Sequence, residues 1–251
     1  MTKKTELIFG IHPMLEALES GQSFDKIMLK KGISGNNISK IKTMARAQAI
    51  PTQYVPQEKL NRFTTKNHQG VIGLKAPIDF QDIEMVLPGL FEQGKTPFIL
   101  ILDEITDIRN FGAISRTAEA ANVDAIVIPF KGSASITSDA MKTSAGALNY
   151  IQVCRSRNLK ATCEYVKNSG LKLLAATEKA EETYDQQNLT GPVALLMGSE
   201  GHGISSDLLE YATHHLRIPL SGHIASLNVS VAAGILIYEI VKQRKNTFKK
   251  I

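Results

Sequence analysis

No stretch of 18 apolar residues and no secretory leader pattern occurs in this chain, so a membrane span or signal peptide is not expected and a soluble, cytoplasmic protein is. Cysteine is scarce: Cys154 and Cys163 are the only two in 251 residues. Two thiols without a clustered histidine lack zinc-site spacing, so no metal is expected and both read as reduced thiols. Internal repeats and low-complexity tracts are missing as well. What is left is enough chain for one large or two modest globular domains with ample core.

A strong overall charge is also lacking, at +5 formally, but the charge is unevenly divided. Residues 1–80 hold 12 Lys/Arg against 6 Asp/Glu, residues 81–95 one against three, and residues 96–251 16 against 15. The basic excess of the first third includes Lys26, Lys30, Lys31, Lys40, Lys42, Arg46, Lys59, Arg62 and Lys66. It has the sign expected of a phosphate-backbone binder, with a well-solvated surface as the alternative.

What is present divides into two patterns. Leu7 to Val55 reads as a small α/β unit. Pro13 sits in the first turn of a helix through Leu15 and Leu18, Lys26–Leu29 and Thr52–Val55 are strands, and 38–49 is a helix. Lys66-Asn-His-Gln-Gly70 is a polar loop before the strand Val71–Leu74. The domain is taken as residues 1–78, followed by a Pro/Gly-marked linker at 79–95 with a short helix. From residue 96 to 251 the pattern changes. Apolar runs at 98–102, 125–128, 151–153, 171–175, 193–197 and 216–218 alternate mostly with helical stretches, which predicts a parallel sheet with helices on both faces. Ligands of such sheets bind beyond the carboxyl ends of the strands.

Three polar constellations follow strands. The first runs from Asp103 through Asp107 and Asn110 to Arg116, with Gly112 and Ala113 small enough to admit another backbone. Arg116 suits a phosphate or carboxylate, or alternatively an ion pair with Glu119 or Glu104. The second is Gly198-Ser-Glu200-Gly-His-Gly203-Ile-Ser205. It is neither a P-loop nor a dinucleotide fingerprint, and Glu200 either handles a hydroxyl proton or caps nearby amides. His202 reads as loop polarity, and His214 and His215 as surface. The third is Arg217-Ile-Pro-Leu-Ser-Gly-His-Ile-Ala-Ser-Leu-Asn228, where Pro219 ends a strand and Asn228 suits the N-cap of a helix burying Val229, Ala232, Ala233, Leu236, Ile237 and Ile240. An ordinary capped helix is the plain alternative.

In this order and near these spacings, the three constellations resemble the TrmH branch of the SPOUT methyltransferases, over essentially all of residues 96–251. Gly10-Ile-His-Pro13 and Asn67-His-Gln-Gly-Val71 resemble the ribosomal-protein-like RNA-binding domain of the bacterial 23S rRNA guanosine 2′-O-methyltransferases. The resemblance implies methyl transfer from S-adenosylmethionine to a ribose 2′-hydroxyl, a deep trefoil knot and a homodimer. It also implies that Asn110, Arg116, Glu200, Ser226 and Asn228 form the active centre. Gly198, Ile218, Pro219, Leu220 and Leu227 would hold the cofactor by their backbone, with Thr177 at its rim. A tRNA substrate, or a non-catalytic role in RNA binding or ribosome assembly, are the alternatives. Two departures stand out: Asp107-Ile-Arg-Asn110 lacks the proline of the commoner Asp-Pro-x-Asn, and Gly146-Ala-Leu-Asn149 lacks an acidic residue.

Overall fold

The computed structural model describes residues 6–223 and 226–248. The chain divides into two units: residues 1–79 with 135–139, and residues 80–134 with 140–251.

The first unit runs β1 (Leu7–Phe9), α1 (Ile11–Glu19), β2 (Phe24–Lys30), α2 (Asn36–Ala47), β3 (Thr52–Val55), α3 (Gln57–Asn61) and β4 (Val71–Lys75). Its sheet has the order β1-β4-β2-β3, with β4 antiparallel to both neighbours and β2 parallel to β3. Alternation along β2 decides what each face buries. Ile27 and Leu29 join Met14, Leu18, Ile38 and Ile41 under α1 and α2, whereas Met28 joins Leu60, Ile72 and Val55 on the other face.

The second unit continues with α4 (Ile83–Glu92), β5 (Phe98–Leu102), α5 (Ile108–Ala120), β6 (Ala125–Pro129), β7 (Gln152–Ser156), α7 (Leu159–Asn168), β8 (Lys172–Ala176), β9 (Val193–Met197), α8 (Ser206–Leu209), β10 (His214–Leu216) and α9 (Val229–Phe248). Between β6 and β7 lies the short α6 (Ser138–Thr143). The strands form one all-parallel sheet, β10-β8-β9-β5-β6-β7. Every residue of β5 and β9 is buried, as strands covered on both faces require. Ile99 and Ile101 pack with Leu87 of α4, Val166 of α7 and Leu208 of α8. Phe98 points to the opposite face, where the Arg244 guanidinium of α9 lies 5.1 Å from its ring centroid.

Two readings from sequence need correction. The stretch 79–95 is not a linker in structure: Ile83, Leu87 and Leu90 of α4 are buried in the second unit's core, and Gln81 N–H bonds the Val153 carbonyl at 2.9 Å. The proline and glycines that mark it sit inside or just after this helix, with Pro88 tolerated within it. The last strand is His214–Leu216, not 216–218. It pairs with β8, which ends opposite Leu216 at Ala176, so Arg217 bridges to Thr183 instead. His214 therefore belongs to a half-buried strand, and His215 is exposed.

Candidate active site at the ends of the central strands

Each constellation occupies the carboxyl end of a strand. β5 and β9 are neighbours in mid-sheet, so their exit loops meet. Asp103, which follows β5, is buried, and its Oδ2 accepts from Ser205 N–H at 2.9 Å. It thereby fixes the glycine-rich loop after β9. That loop closes on itself through reciprocal backbone bonds between Ser199 and Gly203 at 2.9 and 3.0 Å. A Cβ on Gly198 would lie 2.0 Å from the Gly203 carbonyl carbon. Gly198 is thus required by the loop's own backbone, before any ligand enters.

Asp107 caps α5: its Oδ1 accepts from Arg109 N–H at 2.7 Å and Asn110 N–H at 3.1 Å. The Asn110 amide, followed by that of Arg109, holds the Asp107 carboxyl below the usual carboxylate range. Side-chain capping does the work that a proline would do at this junction, so Asn110 is fixed despite the substitution of Ile108. Gly112 meets the expectation of close approach by another backbone, since a Cβ there would sit 2.8 Å from the Thr143 carbonyl carbon of α6 and 2.2 Å from that residue's Oγ1.

Asn228 caps α9, its Oδ1 accepting from Ser230 N–H at 3.0 Å. Its Nδ2 donates to Asn110 Oδ1 at 3.0 Å and also to Glu200 Oε1. Glu200 Oε1 accepts further from Asn110 Nδ2 at 3.1 Å and from Val229 N–H at 3.2 Å. Three donors converge on one carboxylate oxygen, and Oε2 has no partner among the described residues. Glu200 therefore caps amides, as the plainer reading held, and still presents a free oxygen.

Glu200 and Val229 of this cluster stand in a wall shared by two cavities, both lined by Ser199–His202 and Val229. One, of about 460 Å³, is lined by Thr177, Gly198, Ile218, Leu220 and Leu227, with Ser226 at its exposed edge. Five of the six expected cofactor residues meet here. Pro219 does not line the cavity, although both its neighbours do. The other cavity, of about 430 Å³, is lined by Glu104, Asp107, Asn110 and Gly132 among others.

Arg116 is not brought to the cluster. Six residues after Asn110 is about 240° around a helix, and Arg116 is exposed with no hydrogen bond or ion pair among the described residues. The alternative, an ion pair with Glu119 or Glu104, does not form among the described residues. Sequence reading missed His202, Lys179 and Ala232 as cavity lining. Nothing local marks them, because their places depend on loops meeting from distant strands. Ile224 and Ala225 of the third constellation lie outside the described residues. Among the described residues there is no group of three or more His, Cys, Asp or Glu that could hold a metal, and no helix long and apolar enough to cross a membrane.

The SpoU rRNA methylase family model matches residues 97–238, and a model for RNA 2′-O ribose methyltransferase substrate binding matches residues 7–80. A Bacillus subtilis protein named for the TrmH family of tRNA/rRNA methyltransferases, YacO, is 33% identical over 244 residues, covering 97% of this chain and 98% of the relative. A Staphylococcus aureus protein named for the same family is 36% identical over 240 residues, covering 95% and 96%. Among solved structures, an rRNA methyltransferase of Sinorhizobium meliloti with bound AdoMet superposes with a TM-score of 0.61 at 22% identity, covering 94% of this chain and 86% of that one. The SpoU methyltransferase AviRb of Streptomyces viridochromogenes, in complex with AdoMet, gives 0.60 at 20%, covering 96% and 90%. At those identities the two structures speak for the fold.

Proposed function

Since the chain belongs to the SpoU rRNA methylase family, we propose that it moves the methyl group of S-adenosylmethionine to the ribose 2′-hydroxyl of a guanosine in 23S rRNA. The observation that carries this reading is that Asn110 and Asn228 both donate to Glu200, which stands in the wall between two cavities. The residues fit the cofactor: the larger cavity combines the apolar Ile218, Leu220 and Leu227 with backbone at Gly198 and a hydroxyl at Thr177. When bound there, S-adenosylmethionine supplies an already activated methyl group.

The protein's own task is then to hold the 2′-oxygen in line and to take its proton. Holding alone is worth roughly 7–11 kcal/mol of barrier. Glu200 Oε1 is fixed by three N–H donors, so Oε2 is oriented to accept the proton directly or through water. Asn110 and Asn228 keep that carboxylate in place, and the exposed Ser226 hydroxyl is set to orient the ribose. Arg116 acts as a clamp on an RNA phosphate, through its planar fork of N–H donors. Its exposure and lack of a protein partner support that role.

Guanosine is favoured by Glu104. This exposed carboxylate lines the second cavity with no partner among the described residues, and it complements the adjacent N1–H and N2–H donors of guanine. An rRNA target is favoured by the +6 excess of residues 1–80, where the substrate-binding model matches. A tRNA substrate is the second reading, supported by relatives named for both RNAs.

The trefoil knot belongs to the same proposal. β10 lies at the sheet edge beyond β8, whereas Asn228 stands at mid-sheet, and the segment after β8 pairs with Arg217 on the way. A homodimer is supported by Val231 and Tyr238, seven residues apart on one face of α9 and each 51% exposed. A cytoplasmic setting suits an rRNA substrate and two free thiols.

The test is methylation by the purified protein, with methyl-labelled S-adenosylmethionine and transcribed 23S rRNA or tRNA as separate substrates. Label should enter 23S rRNA at a guanosine whose 3′ bond resists alkaline cleavage. Arg116→Ala should abolish incorporation while leaving cofactor affinity within about threefold, since the guanidinium serves the RNA rather than the cofactor. Label in tRNA alone would overturn the rRNA assignment. No label and no calorimetric binding of the cofactor would bring the non-catalytic reading forward.

A further inference from the structure

In the polar loop Lys66-Asn-His-Gln-Gly70, the acceptors of Asn67, His68 and Gln69 turn to the loop's own support. His68 is buried. Gly70 N–H donates to His68 Nδ1 at 3.0 Å, which puts the ring proton on Nε2, and Nε2 donates to Asn61 Oδ1 at 2.9 Å. Asn67 Oδ1 accepts from Gln69 N–H at 3.3 Å, and Gln69 Oε1 accepts from Ile11 N–H at 3.0 Å. The Gly70 carbonyl accepts from Lys30 N–H at 2.8 Å, which ties the loop to the end of β2. The acceptors of Asn61, Asn67, His68 and Gln69 are therefore all engaged within the protein.

Between this loop, the end of β2 and α3 lies a cavity of about 580 Å³. Lys30, Lys31 and Lys66 line it, all exposed, and none has a carboxylate partner among the described residues. Other lysines of the same unit are paired, Lys40 with Glu19 at 2.7 Å and Lys75 with Glu6 at 3.1 Å. No carboxylate lines the cavity. What it offers is three ammonium groups and the free amide NH₂ groups of Asn61 and Asn67, so its occupant must be rich in acceptors and negatively charged. A phosphodiester meets both conditions. A duplex carries its phosphates on a stiff convex surface, whereas an unpaired strand can bend into a concave site.

We infer that this cavity grips an unpaired segment of the substrate RNA by its phosphodiester backbone. The inference rests on the RNA-methyltransferase reading given above. Its Asn-His-Gln-Gly sequence is then a rigid frame, and the flanking lysines are the contacts.

The full-length protein tests this with transcribed 23S rRNA as ligand. A K30Q/K31Q/K66Q variant is compared with a K40Q/K75Q control that removes paired lysines of the same unit. The triple variant should bind roughly tenfold or more weakly at moderate salt, and its slope of log affinity against log salt should shrink by about 2, near 0.7 per lost contact. The control should keep the wild-type slope. An oligouridylate of about 12 nucleotides should compete with 23S rRNA better than a duplex of equal length, and only against the protein with intact lysines. An unchanged slope in the triple variant, an equal loss in the control, or equal competition by the duplex would each overturn the inference. Calorimetry with S-adenosylmethionine on the same proteins separates the two readings. Cofactor binding and methyl transfer with an unchanged slope reject the cavity alone, while their loss in the wild type rejects the enzymatic reading.

Discussion

Asn228 and Asn110 stand 118 residues apart, yet Asn228 Nδ2 donates to Asn110 Oδ1 at 3.0 Å, and both amides also donate to Glu200 Oε1. Each asparagine lies at the start of a helix, Asn110 in the first turn of α5 and Asn228 as the cap of α9. The two helices pack together, so anchoring one helix start anchors the other.

Asn228→Ala removes both the cap and the bridge. Loss of the cap should lower stability by about 1 kcal/mol, and loss of the bridge should cut turnover at least tenfold. Asn228→Ser separates the two effects, because a serine hydroxyl restores the cap without reaching Asn110. Thermal melts and single-turnover rates would record rescued stability with unrescued turnover. Equal rescue of both would show that the bridge has no part in catalysis.

Glu200→Gln keeps the shape and an oxygen that can still accept from Val229 N–H, but it offers no carboxylate to take a proton. Turnover should fall on the order of 10²–10⁴-fold with little change in melting temperature or cofactor affinity. Near-normal turnover would assign the proton to water and leave Glu200 as a cap.

Gly198→Ala places a methyl group 2.0 Å from the Gly203 carbonyl carbon, against backbone that cannot step aside cheaply. The variant should be destabilised by about 3 kcal/mol or more, seen as a lower melting temperature without any ligand present. A variant as stable as the wild type that fails only to bind cofactor would instead place the constraint in the pocket.

Burial pushes both thiols, Cys154 and Cys163, up to about 12. In the unfolded chain they ionise near 9, so between about pH 9 and 12 the unfolded state releases protons that the folded state keeps. Stability therefore falls as pH rises through that window, by about 1.4 kcal/mol per thiol per pH unit at most. Denaturant melts of the wild type and a C154A/C163A variant would diverge above pH 9, and a thiol reagent at pH 8 should label neither cysteine in the folded protein. Rapid labelling under native conditions would contradict this burial.

Much of this protein is legible in its sequence, because local chemistry decides it. Continuous apolar runs such as Phe98–Leu102 and Val193–Met197 can only be strands buried on both faces, and the Asp107 and Asn228 caps need only their own next few amides. The charge difference between residues 1–80 and the remainder is a matter of counting. Other features depend on which distant segments meet. Gly198 is readable as a glycine a site needs, but that Gly203 is the reason requires the closed loop. The segment 79–95 has a linker's composition, yet α4 finds a sheet face to cover, which outweighs a proline in its middle. Arg116 sits in the motif by sequence but on another helix face in space, since 3.6 residues per turn carries it away from Asn110. Capping and alternation extend over a few residues, whereas a site assembled from three strand ends exists only once the sheet has set their order.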